Sequence, residues 1–281
     1  MTDFTAVTDA EGVCTVTWDA EARSMNVMTR AAMEELDALI SAALDDPAVT
    51  GIVLTSGKPD FAGGMDLSTL AAIREEAGQA PAQALFDFTM AGHTALRRLE
   101  RAGMDPKTLK GGKPVACAIA GTCAGIGTEI ALACHRRFMA DGKGRIGLPE
   151  IKVGLFPGGG GTTRYSRMVG LMQAAPVLLE GRMLDPGAAK SAQLVDEVVP
   201  AEDLVARARA WVLAAGDADI VKPWDRRDWK MPGGAPYHPA GFMTFVGASA
   251  MVNHQTQGVY PAARALLSAI YEGAQVPFDT A

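Results

Sequence analysis

The most constraining feature of this chain is an apolar run, Val115-Ala-Cys-Ala-Ile-Ala120, that breaks into a glycine turn, Gly121-Thr-Cys-Ala-Gly125-Ile-Gly127. Helix-forming sequence follows from about Gly125 to Cys134. The run reads as a strand and the turn as a tight connection into a helix. Glycines let backbone N–H groups approach a ligand closely, and the start of a helix aims its unpaired N–H groups at whatever occupies the turn. One unit of this kind commits the chain to an α/β fold that carries a site on its turns.

The rest of the chain repeats the alternation. Val13 to Trp18 reads as a period-two strand, and Ala31 to Leu44 as an amphipathic helix with Met33, Leu36, Leu39, Ile40 and Leu44 inward. Gly51-Ile-Val-Leu-Thr55 is a buried strand, ended by the turn residues Ser56-Gly-Lys-Pro59 and a loop Phe61-Ala-Gly-Gly-Met-Asp66. Gln83 to Glu100 is helical, Gly103 to Gly112 a polar turn, Val195 to Val199 a further strand and Leu204 to Ala214 a helix. From Gly216 onward, Pro223, Pro232, Pro236 and Pro239 break regular structure, and Trp224 and Trp229 offer anchors. That stretch reads as a surface-wrapping segment. A last apolar helix, about Ala262 to Glu272, needs the main domain or a partner to cover it. The expected division is residues 1–215 as one domain and 216–281 as a helical extension.

Composition narrows the function. The chain has 281 residues, 48% of them hydrophobic and 21% charged, which suits a substantial core. A net charge of −6 gives no basic footprint for nucleic acid, and there is no apolar stretch long enough for a membrane span. Acidic residues interleave residues 1 to 30, unlike a secretory signal, so a cytoplasmic location is expected. Cys14, Cys117, Cys123 and Cys134 form no C-x-x-C pair and read as small apolar residues, not as metal ligands or disulfides. His93, His135, His238 and His254 fall in no nucleophile or metal motif and read as surface or structural histidines.

Three segments carry candidate chemistry. Glu129 follows the glycine turn, Glu150 closes Gly147-Leu-Pro-Glu150, and Pro157 leads a glycine run to Gly161. Taken singly, Glu129 is also explained as a carboxylate in the first turn of a helix, and Glu150 as a solvated loop acid. Together, in apolar surroundings, they could form a pair in which burial and like charge keep one carboxyl protonated and the other ionised. The glycine run has no Lys-Ser/Thr at phosphate-loop spacing and no dinucleotide G-x-G-x-x-G, which argues against nucleotide hydrolysis or NAD binding. Arg23 is open to two readings, a solvated charge or a phosphate contact.

At Phe61 to Asp66, Ala120 to Glu129 and Ile146 to Gly161, with the later Gly181 to Asp196, the chain resembles the enoyl-CoA hydratase/isomerase (crotonase) family over about residues 10 to 215. Tyr260-Pro-Ala262 and Tyr271-Glu-Gly273 are similar to the region after the hydratase module of multifunctional fatty-acid-oxidation α-subunits. The resemblance implies a spiral of ββα units with a C-terminal helical region. It also implies an acyl-CoA thioester as substrate, with no separate cofactor and no metal.

Carried over by position, the carbonyl-binding N–H donors are Met65 and Ile126, the latter standing where glycine is usual. Glu129 activates water and Glu150 delivers a proton at C2. Backbone at Ala62, Gly63 and Gly64, with Gly125, Asp66 and Arg23, is expected along the CoA side. Hydration of 2-enoyl-CoA in β-oxidation is the expected reaction, with Δ3-Δ2 isomerisation or non-catalytic acyl-CoA binding as alternatives. Implied partners are a trimer-based homo-oligomer or, in a multienzyme complex, a 3-hydroxyacyl-CoA dehydrogenase module and a thiolase subunit.

Overall fold

The computed structural model describes residues 2–21 and 23–281. Its main sheet is built from β1 (Phe4–Thr8), β2 (Val13–Trp18), β3 (Gly51–Ser56), β4 (Val115–Ile119), β6 (Arg136–Ala140) and β9 (Glu197–Val199), in the order β1-β2-β3-β4-β6-β9. Only the β1–β2 pair is antiparallel; β2 to β9 run parallel. A second small sheet joins β5 (Cys123–Ala124), β7 (Ile146–Gly147) and β8 (Met183–Leu184). The later turns of the spiral leave the main sheet, touch the small one and return through helix. Thus β4 leads to β5 and α4 (Ile126–Ala133), while β6 leads to β7 and a 3-10 turn at Pro149–Val153. The expected ββα spiral is realised.

The other helices are α1 (Arg30–Asp45), α2 (Leu67–Glu76), α3 (Pro81–Arg101), α5 (Gly161–Val169), α6 (Leu171–Leu178), α7 (Pro186–Ser191), α8 (Leu204–Ala214), α9 (Asp217–Ile220), α10 (Pro239–Thr256) and α11 (Pro261–Gly273). Helix α1 starts where Thr29 accepts from the Ala32 N–H, a side-chain cap worth about 1 kcal/mol. The main core lies against one face of the sheet, and α8 covers the other with Leu204, Ala208 and Val212 on Val13, Val53, Ala116 and Phe138. Cys14, Cys117, Cys123 and Cys134 are buried and unpaired, as their apolar reading anticipates. Among the described residues, no helix is long and apolar enough to cross a membrane.

The segment after residue 216 is more regular than its prolines suggest. Pro239 occupies the first turn of an 18-residue helix, α10, where its missing N–H deprives no carbonyl of a bond. Helix α11 is covered as required, with Ala262, Leu266, Leu267 and Ile270 buried in the same core as α5 and α6. Trp224 does act as an anchor, stacked on Phe278 with ring centroids 5.0 Å apart. Arg167 of α5 donates to the Gly273 carbonyl at the end of α11 and to the Val276 carbonyl just beyond it, each at 2.8 Å.

His135, between α4 and β6, is a structural histidine. Its Nδ1 accepts from the Val115 N–H and its Nε2 donates to the Glu100 carbonyl, each at 2.9 Å. Burial, assisted by the nearby Lys222 charge, pushes its pKa down to about 3. The unfolded chain takes up that proton near its ordinary value of about 6.5 and the folded chain refuses it, so stability falls as pH drops from about 6.5 toward 3. Urea titrations between pH 6 and 4 should give a steeper loss for the native chain than for His135→Gln, by up to about 1.4 kcal/mol per pH unit. Equal slopes would show that His135 titrates normally.

Candidate active site

Asn26 sets the loop that follows β3. Its amide is fully buried, accepts from Ala20 N–H at 3.0 Å, and donates to the carbonyls of Trp18 (2.9 Å) and Phe61 (3.1 Å) and to Ser56 Oγ (3.0 Å). Four bonds from one side chain thereby join the ends of β2 and β3 to the segment carrying Ala62 to Met65. That segment is held from both edges. Met28 N–H donates to the Gly64 carbonyl and Asp66 N–H to the Met28 carbonyl on one side, and Ala62 bridges Cys123 in parallel on the other.

This pairing orients the two predicted donors. In a trans peptide the C=O and N–H point in opposite directions. With the Gly64 carbonyl turned to Met28, the Met65 N–H faces the other edge, the side on which Ala62 pairs with Cys123 just ahead of the Gly125 turn and Ile126. Ile126 opens α4, so its N–H has no carbonyl one turn back to bond. Gly125 turns the chain between them at φ 57°, ψ −124°, a conformation that suits glycine. The isoleucine side chain points away from this edge and reaches Gly159 instead.

The two glutamates converge here. Glu129 is 2% exposed, and its Oε1 accepts from Gly159 N–H and Gly161 N–H, both at 2.8 Å. The glycine run is therefore a backbone cradle for a carboxylate. A Cβ on Gly159 would stand 2.7 Å from Glu129 Oε2, and one on Gly161 would stand 2.8 Å from its Cγ, so neither position has room for a side chain. Burial raises the pKa of Glu129, while the two N–H donors and Arg164 oppose the rise.

Glu150 rides the Pro149–Val153 turn, with its Oε1 3.0 Å from where a Cβ on Gly125 would be. Its Oε2 is buried and meets no protein donor. Burial first, and the Glu129 charge second, push its pKa up to about 8. Glu150 therefore holds a proton near neutral pH, while the two glycine N–H groups favour the ionised form of Glu129 against the effect of its burial.

Asp66 and Arg23 are brought together. Asp66 caps α2 through Ser68 N–H (3.0 Å) and pairs with Arg23 at 2.9 Å, which leaves the guanidinium half-exposed and partly neutralised. Gly63 packs so closely on Met25 that a Cβ would lie 2.5 Å from its sulfur, and Gly64 sits at φ 111°. Three side chains that support the site are not marked as site residues by the sequence: Asn26 and His93, which carry no local signal, and Tyr260, which enters only through the Tyr260-Pro-Ala262 resemblance. The Tyr260 hydroxyl donates to the Ile151 carbonyl on the turn that bears Glu150, and His93 meets the Gly158 carbonyl beside the cradle.

The model of the enoyl-CoA hydratase/isomerase family matches residues 8–216. The chain belongs to this family. Among curated relatives, the fatty acid oxidation complex subunit alpha of Shewanella loihica is 34% identical over 264 residues, covering 93% of this chain and 35% of that protein. Its counterpart from Shewanella putrefaciens is 34% identical over 265 residues, covering 94% and 35%. The chain thus spans about a third of the length of these relatives. Among solved structures, an enoyl-CoA hydratase from Geobacillus kaustophilus superposes with a TM-score of 0.65 at 26% identity over 75% of this chain and 73% of that one. The enoyl-CoA hydratase of Bacillus anthracis gives 0.64 at 23% identity over 97% and 90%, a likeness of fold.

The geometry makes the carboxyl pair interdependent. In Glu129→Gln, Glu150 should titrate well below its native value of about 8 and still above an ordinary glutamate, because the like charge is gone and the burial remains. Carboxyl-carbon NMR across pH 4 to 10 would read this. An unchanged Glu150 titration would mean that the two groups do not couple.

Proposed function

We propose that this chain is a 2-enoyl-CoA hydratase, adding water across the C2–C3 double bond to give a 3-hydroxyacyl-CoA. The observation that carries this reading is the placing of two buried carboxyls, Glu129 in its glycine N–H cradle and Glu150 against Gly125, at the start of α4, where the Ile126 N–H has no carbonyl one turn back. The Met65 and Ile126 N–H groups hold the thioester oxygen and stabilise the negative charge that grows on it, at roughly 2.7–4 kcal/mol per donor. Glu129 accepts a proton from water as the hydroxyl oxygen bonds to C3. The π electrons move toward C2 and the thioester oxygen, and Glu150 gives its proton to C2. Proton exchange between the two carboxyls through solvent then restores the starting state.

The substrate class and a role in β-oxidation are supported by the family and by the relatives' name, fatty acid oxidation complex subunit alpha. In this reading residues 1–215 carry the chemistry and residues 216–281 brace it, with Tyr260 holding the Glu150 turn. The CoA thioester is the substrate, and no separate cofactor is needed because every step is a proton transfer or an addition.

The test is loss of conjugated thioester absorbance with crotonyl-CoA and a long-chain 2-enoyl-CoA. Glu129→Gln and Glu150→Gln should each lower kcat by about 10²–10⁴-fold while acyl-CoA binding, measured calorimetrically, stays within a few-fold of the native value. Hydration retained in both variants would overturn the proposal. Conversion of a 3-enoyl-CoA that needs Glu150 alone would favour isomerisation instead.

A further inference from the structure

His93 stands outside the site as the sequence describes it, yet it lies one peptide group away from Glu129. It projects from α3, and its Nε2 is 2.6 Å from the Gly158 carbonyl oxygen. A carbonyl can only accept, so Nε2 carries the hydrogen. The N–H at the other end of that same peptide belongs to Gly159 and donates to Glu129 Oε1 at 2.8 Å. Because the peptide is trans, imidazole, peptide and carboxylate form one continuous line of donors and acceptors. A donor on the C=O of an amide makes its N–H a stronger donor.

We propose that His93 is a positioning residue, which fixes the Gly158–Gly159 peptide and strengthens its N–H toward the general base Glu129. This deepens the hydratase reading and rests on it for the word base. The second cradle donor, Gly161 N–H, is supported from within its own helix, where the Gly160 carbonyl of the same peptide accepts from the Arg164 N–H at 2.9 Å, so of the two cradle peptides only Gly158–Gly159 depends on a side chain from another element. The neighbouring Gly159–Gly160 peptide is held through its carbonyl by Arg164 at 3.2 Å, and its own N–H does not reach Glu129.

The charged groups around this line are few. His93 faces Arg164 from α5 and shares a cleft of about 440 Å³ with Glu272 from α11. Glu129 faces Arg164 and, from the 3-10 turn, Glu150. Arg164 is itself bound to the buried Glu100 at 2.9 Å, so its charge is largely engaged. Burial, with Arg164 adding to it, outweighs the Gly158 carbonyl's pull toward the imidazolium and lowers the His93 pKa, which favours a neutral ring with its one hydrogen on Nε2. Loss of the donor leaves Gly159 N–H a weaker partner, the Glu129 carboxylate less stabilised, and its ionisation displaced to higher pH.

The test compares His93→Phe and His93→Gln in the full chain. Glutamine can place an amide N–H near the position of the imidazole Nε2–H. His93→Phe should lower kcat roughly tenfold with KM within about twofold, and should move the acid limb of the kcat/KM profile upward by about half a unit or more. His93→Gln should recover most of both. Carbon-13 titration of the Glu129 carboxyl in the absence of substrate should show the same upward displacement in His93→Phe, a readout that does not depend on turnover. If the native chain fails to hydrate enoyl-CoA and the Glu129 titration still moves, the hydratase reading falls and the link to His93 stands. A Glu129 titration that is unchanged in His93→Phe, or a His93→Gln no better than His93→Phe in a folded protein, would overturn the proposal.

Discussion

The structure is organised around the burial of one carboxylate. Removing Glu129 from water costs several kcal/mol unless its charge is met, and it forms no direct ion pair among the described residues. Backbone N–H groups meet it instead, which demands glycine at 159 and 161 because a Cβ at either position would strike the Glu129 side chain. The cradle is in turn held by Arg164, which needs a counter-charge in the core. Glu100 provides it, fully buried and shared with Arg97 at 2.6 Å. Arg97 then reaches Asp225 and Asp279 in the segment after residue 216, and Phe278 lies against the same guanidinium. One buried charge thus generates a chain of partners that runs from the candidate site to Asp279.

Much of the frame was legible because it is written locally. Val13–Trp18 and Leu204–Ala214 have the bounds that their patterns predict, and α1 and α3 differ by one or two residues, since apolar spacing and turn residues act within a few positions. Strand β1 carries no such signal, as four of its five residues are exposed and nothing alternates. The two-residue strands β5, β7 and β8 are too short to leave a pattern. Helix α10 hides behind its flanking prolines and has apolar residues around most of its circumference, so no face stands out.

The site divides along the same line. Glu129, Glu150, Met65 and Ile126 were reachable through contiguous motifs and a family resemblance. The meaning of the glycine run was not, because the carboxylate it serves lies thirty residues away in the chain. Asn26, His93 and Tyr260 act over separations of 35, 65 and 109 residues, distances at which an isolated polar residue looks like any other. Ile126 was legible for its backbone N–H, and the contact of its side chain was not. Its departure from glycine bears on packing against Gly159, while the backbone N–H keeps its place at the start of α4.

The buried cysteines carry a consequence for how the molecule can be watched. Cys14 lies in β2, Cys117 in β4, Cys123 in β5 and Cys134 at the end of α4, so the thiols sample both sheets and the crossover between them. Burial raises the pKa of Cys14 and Cys117 and lifts that of Cys123 to about 12, which suppresses the reactive thiolate as well as access to it. An alkylating reagent therefore modifies these positions only when the surrounding layer opens. The native chain contains four internal clocks of local unfolding, and the order in which they run would map which turn of the spiral comes apart first.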